Sequence, residues 1–497
     1  MARSTWQPVL IPHEALGPQL HAAVVADIRS GRLAPDHRLP GSRDLARRLG
    51  IARATVVRVT DALAAEGWLV ARPGSGMVVA PDLPPEVQGP TGDVAARCGF
   101  PLPAAPPAPR RLHAPPGTDF ALVGGTPDLR LLPLTELARA YGRVLRGRGR
   151  QLVAYGDPQG ELRLRQALAA WLARTRGLVA RPEQLLLTRG SQMALHLLAQ
   201  VLLRPGDRVA VEELGYPPAW AALEAAGATL LPVPVDGEGL VVDALPAAPP
   251  AAAPLRMVYL TPHHQYPTGA VLSAPRRLQL LARARREGIV LVEDDYDHEY
   301  HYEGRPVSPL AAADGQGLVA YVGTLSKAFA PGLRLGWVVA PEPLITRLCA
   351  ARARVDRQGD RVVEQAVAEL LEDGSIDRHL GRTRRAWRSR RDALLALVAR
   401  HLPALRAEVP AGGLAVCFHA PSEVDLDAWA ARCEAAGVFF STGSAFAFDG
   451  SPRPWVRLGF AGQDEAELAE AVRRMAAAWQ AGPPPQRRDL SLPGGGA

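Results

Sequence analysis

One residue type stands alone in this chain: of the 57 lysines and arginines, 56 are arginine and only Lys327 is lysine. A guanidinium keeps its proton, whereas an amine can lose it and attack a carbonyl, so Lys327 is the side chain with nucleophilic chemistry that no other basic residue here can supply. In Leu291-Val292-Glu293-Asp294-Asp295-Tyr296 a carboxylate falls at the C-terminal end of an apolar strand, where ligands of α/β sheets gather. The run Asp294, Asp295, Asp297, His298 and Glu299 also has metal-ligand residue types, but no second ligand set in the sequence converges on it, and no metal is expected. In Leu187-Thr188-Arg189-Gly190-Ser191-Gln192 a strand ends in a glycine turn that opens a helix. Its first amides suit a phosphate, and simple helix capping accounts for the same pattern equally well. Near the N-terminus, Arg53 and Thr55 open a helix and Arg43 lies on the one before it, the placement from which side chains reach base edges and phosphates in a major groove.

These residues need elements to position them. Between Gly17 and Val79 the pattern is three short helices and a hairpin. Leu20, Val24, Val25 and Ile28 form an apolar stripe, Ser42 is placed to cap a second helix ending at Gly50, and a third runs from about Arg53 to Glu66. Trp68 to Val70 and Met77 to Val79 then read as strands around Pro73-Gly74-Ser75-Gly76. This predicts a winged helix-turn-helix over residues 12–80, and ten arginines against six acidic residues in the first 80 suit an anionic partner. Residues 81–116, dense in Pro, Ala and Gly, read as a linker. From 117 to 481 apolar strands alternate with helices, at Gln184–Leu187, Arg208–Val211, Met257–Leu260, Ile289–Glu293 and Val319–Gly323, predicting an α/β body with a largely parallel sheet. Residues 482–497, rich in Pro and Gly, read as a disordered tail.

Composition excludes several classes. No run of about 18 apolar residues offers a membrane span, and no apolar segment with a small-residue cleavage site follows Met1, so a cytoplasmic location is expected. The four cysteines are scattered, without the spacing of a zinc finger or a disulfide framework.

The segment from Arg38 through Arg43, Arg53 and Thr55 to Gly74-Ser75-Gly76 resembles the winged-helix head of GntR-type regulators. That resemblance implies duplex DNA as a partner, with Arg43, Arg53, Thr55 and the wing Gly76 at the interface. Gly323-Thr324-Leu325-Ser326-Lys327, with Arg334 seven residues on, resembles the lysine motif of fold-type-I enzymes that use pyridoxal 5′-phosphate (PLP). It implies PLP in Schiff-base linkage to Lys327 and a phosphate held by Thr324, Ser326 and Arg334 together with Gly190, Ser191 and Gln192. By the same resemblance Asp294 pairs with the ring nitrogen, Tyr296 reaches the ring hydroxyl and Tyr216 stacks on the ring, although ordinary core packing is the competing reading of Tyr216. Tyr155 matches a tyrosine that reaches the phosphate of a neighbouring subunit, implying a homodimer, and Arg457 matches an arginine that clamps a substrate carboxylate.

One departure separates the chain from working aminotransferases. They carry an Asn-Pro-x-Gly turn where this chain has His264-Gln265-Tyr266-Pro267-Thr268-Gly269, a pattern similar to MocR-type members of the GntR family. The resemblance covers nearly the whole chain. It implies a PLP-dependent, DNA-binding transcription regulator whose aminotransferase-like body senses PLP or an amino compound; the alternative is an active aminotransferase with an accessory DNA-binding head.

Overall fold

The computed structural model describes residues 6–11, 14–83, 98, 100–103, 110–247, 253–304 and 306–481. The expected tail, 482–497, and much of the expected linker lie outside the described residues. The chain divides into two compact units, Met1–Pro106 and Pro107–Ala497.

In the first unit α1 (Leu16–Arg29), α2 (Ser42–Leu49) and α3 (Arg53–Ala65) are followed by an antiparallel hairpin of β1 (Leu69–Arg72) and β2 (Gly76–Val79). Leu20 and Val24 of α1, Leu45 of α2, Val56, Val59 and Leu63 of α3, and Leu69 and Val79 of the hairpin share one buried cluster. Fully burying a side chain of this size contributes roughly 1.5–3 kcal/mol, enough for a small three-helix unit to hold a tight turn in place. Ser42 is not the cap the sequence suggested. Gly41 takes the N-cap position without a side-chain bond, and Ser42 becomes the first helical residue, where its hydroxyl accepts from Arg53 Nε at 3.4 Å.

The second unit is built on a seven-stranded sheet. In chain order its strands are β3 (Leu185–Thr188), β4 (Arg208–Glu212), β5 (Thr229–Val233), β6 (Leu255–Leu260), β7 (Val290–Asp295), β8 (Val319–Thr324) and β9 (Gly336–Val339). Their spatial order is β3-β9-β8-β7-β6-β4-β5, and β9 alone runs antiparallel to its neighbours. Helices cover both faces, so neighbouring residues of one strand are buried in different clusters: Leu185 and Leu187 in one, Leu186 in another. Two strands, β5 and β9, were not among the five the sequence indicated. A smaller antiparallel sheet of Ala415–His419, Trp455–Gly459 and Ser441–Thr442 carries Arg457 on its middle strand. Near the start of the unit, Arg110 is tied to the body by a bond from Nη2 to the Phe448 carbonyl at 2.9 Å.

Candidate functional site

Strands β7 and β8 end side by side, with Asp294 level with Val322 and Asp295 with Gly323. The chain leaving β8 therefore brings Lys327 over the carboxylate presented by β7. Both line a cavity of about 270 Å³ with Tyr216, Tyr259, Tyr266 and Tyr296. Asp294 is 5% exposed. Its Oδ2 accepts from the Tyr259 phenol at 2.9 Å, while its Oδ1 is buried with no hydrogen-bond partner. Burial drives the Asp294 carboxyl up to about 7, against the opposing hydrogen bond from Tyr259 and the charge of Lys327. An orphaned carboxylate oxygen facing a cavity calls for a cationic N–H, and a protonated pyridine nitrogen is such a donor. The residues present thus fit PLP.

At the other end of the cavity the first residues of α4 (Ser191–Leu202) meet the chain after β8. Ser191, Gln192, Thr324, Ser326 and Arg334 all line the wall. Gly190 caps the helix at φ 77°, a conformation that favours glycine, and a Cβ there would also stand 2.9 Å from Arg334 Nη2. Arg334 donates to the Arg189 carbonyl at 3.0 Å, which fixes its guanidinium beside the helix end. The Ser326 amide donates to Thr324 Oγ1 at 3.1 Å, and the two hydroxyls lie 3.0 Å apart. Hydroxyls, a guanidinium and a helix N-terminus make a site for a phosphate dianion.

Five further residues occupy distinct places. Tyr216 and Tyr266 meet edge to face at 5.6 Å. The Tyr296 phenol donates its proton to the His264 carbonyl at 3.0 Å, leaving the oxygen's lone pairs, rather than its hydrogen, for any other partner. Arg457 is buried behind Tyr266, with its guanidinium 4.7 Å from that ring, and donates to the carbonyls of Gly124 at 3.0 Å and Pro267 at 3.2 Å. Among the described residues no carboxylate pairs with it. Tyr155 does not line this chain's cavity; it is 77% exposed, with Arg357 4.1 Å over its ring.

The metal-type run after β7 is divided among other duties. Asp295 accepts from the Tyr321 phenol at 2.8 Å and pairs with His298 at 3.0 Å. Burial opposes its charge, but His298 and Arg176 outweigh burial and hold the carboxyl below its usual range. Glu299 pairs with Arg176. What the sequence did not show is Tyr259 beneath Asp294, or a group formed by His263, His264 and His301. Both depend on strands or loops distant in sequence, and only the Tyr259-x-Thr261 alternation at the end of β6 hinted that a hydroxyl faces the site.

In the first unit, the helix-turn-helix geometry places Arg43 on α2 and Arg53 at the start of α3, both exposed, with Thr55 half-buried in the same first turn. Gly76 lies exposed at the turn end of the wing, opposite Arg72, at φ 78°.

Residues 125–475 match the family Aminotransferase class I and II, and residues 16–79 match Bacterial regulatory proteins, gntR family. A relative named "Probable rhizopine catabolism regulatory protein MocR", from Rhizobium meliloti, is 34% identical over 93% of both chains. The HTH-type transcriptional regulator TauR of Rhodobacter capsulatus is 34% identical, over 93% of this chain and 96% of its own. The chain belongs to the MocR-type regulators of the GntR family. Its body also resembles α-aminoadipate aminotransferase LysN of Thermus thermophilus, with a TM-score of 0.67 and 32% identity over 73% of this chain and 92% of that one. Membership of this family joins a GntR winged-helix head to a fold-type-I body, and PLP is the cofactor of that body. No helix among the described residues is long and apolar enough to cross a membrane.

Proposed function

We propose that this MocR-type regulator binds operator DNA as a homodimer through its winged helices and changes its hold on that DNA when an amino compound bearing a carboxylate enters the PLP pocket. The observation that carries the effector's class is Arg457: a buried guanidinium held by two carbonyls, whose charge adds to burial in pushing the Lys327 amine down. A buried cation without a carboxylate partner is costly, and an anionic ligand relieves it.

In this reading residues 12–80 contact DNA and residues 117–481 hold the ligand, with 81–116 joining them. Arg53 and Thr55 meet the major groove, Arg43 clamps the DNA backbone, and Gly76 lets the wing's own backbone approach the minor groove. Lys327 is the attachment point for PLP, whose aldehyde and electron-withdrawing ring supply the chemistry. Asp294 holds the ring nitrogen, Tyr216 packs on the ring, Tyr296 lies on its hydroxyl side, and Gly190, Ser191, Gln192, Thr324, Ser326 and Arg334 hold the phosphate. Tyr155 completes the site of the other subunit. The exchange of asparagine for Tyr266 removes a polar partner of the ring hydroxyl and leaves an aromatic lid over Arg457, which favours sensing over turnover.

The test is a panel of amino acids, matched amines lacking the carboxylate, and keto acids, offered to the PLP-loaded protein. Regulation predicts that amino acids shift the cofactor's spectrum and operator affinity without multiple turnovers. Steady conversion of a keto acid at enzyme-like rates overturns it in favour of an aminotransferase.

A further inference from the structure

His263 and His264 follow β6, and His301 lies six residues beyond β7; the cofactor pocket uses none of the three rings. One ring nitrogen from each lies within 4.8 Å of the others. His263 and His264 are each 2% exposed, whereas solvent reaches His301. Neither nitrogen of His263 has a hydrogen-bond partner, nor has Nε2 of His264 or Nδ1 of His301. Buried polar atoms are ordinarily satisfied, and three open nitrogens, one from each ring, lying this close together call for a shared partner.

The surroundings say which kind. His264 Nδ1 lies 2.8 Å from Asp297 Oδ1, both side chains being buried. That bond places the hydrogen on Nδ1 and turns Nε2 inward, the carboxylate–imidazole pairing that orients metal-binding histidines. Gly412 lies against the same nitrogen, and any Cβ there would collide with it.

We propose that His263, His264 and His301 bind one late first-row divalent transition ion, Zn²⁺ foremost, with water in the remaining position. Three imidazoles suit zinc, copper or nickel, whereas magnesium and calcium take oxygen ligands. Zn–N bonds of about 2.1 Å in a tetrahedron require nitrogens roughly 3.4 Å apart, so the rings close in on the ion by about an ångström. The ion ties together two segments that shape the pocket. One is the loop after β6, whose His264 carbonyl takes the Tyr296 proton and whose Tyr266 covers Arg457; the other is the chain following Asp294.

The experiment uses full-length, tag-free, PLP-loaded protein, titrated with Zn²⁺ against a competing chelator and separately with Co²⁺. One ion per chain is expected, with a visible Co²⁺ band of tetrahedral intensity, and no binding of Mg²⁺. His301→Gln should weaken Zn²⁺ by at least about tenfold and abolish the Co²⁺ band while PLP content stays full. His419→Gln, which alters an exposed histidine elsewhere, should change neither. Equal Zn²⁺ affinity in wild type and His301→Gln, or no binding by wild type, overturns the proposal. Should His301→Gln fail to fold, X-ray absorption at the zinc edge of the wild-type complex decides: imidazole scattering supports the site, and a sulfur or all-oxygen shell overturns it.

Discussion

Burial and the Arg457 charge push the Lys327 amine down to about 8, with Asp294 opposing them. Deprotonation makes the nucleophile, so raising the pH through about 8 raises the reactive fraction. The rate at which PLP-free protein gains a borohydride-fixable pyridoxyl group should climb about tenfold per pH unit below that point and flatten above it. A profile still rising toward the ordinary lysine value of about 10.4 contradicts the assigned environment. Because Lys327 is the only lysine, peptide mapping should find the label there and nowhere else among the side chains, and Lys327→Arg should abolish it while DNA binding by the head persists. Arg457 offers a second measurement at this scale. Hydrogen bonds to a charged group contribute roughly 1.5–3 kcal/mol, so Arg457→Gln should weaken an amino-acid effector roughly 10- to 100-fold. A matched amine without the carboxylate should bind both proteins alike; if it weakens equally, Arg457 supports the pocket's shape instead.

At the scale of elements, the turn between α2 and α3 sets which residues meet DNA. Gly50 ends α2 at φ 64°, and the chain re-enters a helix at Arg53, so Arg53 projects from an exposed helix start. Replacing Arg53 with Ala should cost roughly 1–3 kcal/mol on the operator if it reads a base, or weaken all sequences and flatten the salt dependence if it holds a phosphate. Unchanged affinity and salt slope in the Arg43→Ala, Arg53→Ala double variant would sink the assignment. This element was legible in the sequence because its signals are local: Gly50 stops one helix and the apolar spacing of Val56, Val59 and Leu63 defines the next. Lys327 and Asp294 were legible for the same reason, each standing at the end of a strand with its own apolar run. Strand β9 was not, since its place is set by antiparallel pairing with β3 and β8 on either side, which no spacing in the sequence records. Tyr259 under Asp294 and the three histidines were hidden for a related cause: their partners lie 33 to 38 residues away or are set by sheet register, which no spacing in the sequence records.

For the whole molecule the open issue is whose site Tyr155 serves. Its ring is exposed and absent from its own chain's cavity wall, whereas Asp294, Lys327, Thr324 and Arg334 all line that wall. If the site is shared, two variants that are each defective should repair one another in a mixed dimer. Tyr155→Ala dimers lack the tyrosine at both sites and should hold PLP more weakly, while Lys327→Arg dimers lack the attachment point at both. In the mixed dimer, the Tyr155→Ala chain keeps its lysine and receives Tyr155 from its partner, so one site is whole and the other lacks both groups. Differentially tagged chains, refolded together and purified as the mixed species, should therefore bind one PLP per dimer with wild-type affinity, and borohydride should label only the Tyr155→Ala chain. If Tyr155 instead serves its own chain, the only lysine-bearing site in the mixed dimer lacks its tyrosine, and its affinity should equal that of the Tyr155→Ala homodimer. The same preparation tests pairing itself, because a dimer presents two winged helices and should require two operator half-sites at a fixed spacing. Sedimentation as a monomer at micromolar concentration with PLP fully bound would remove the basis for both.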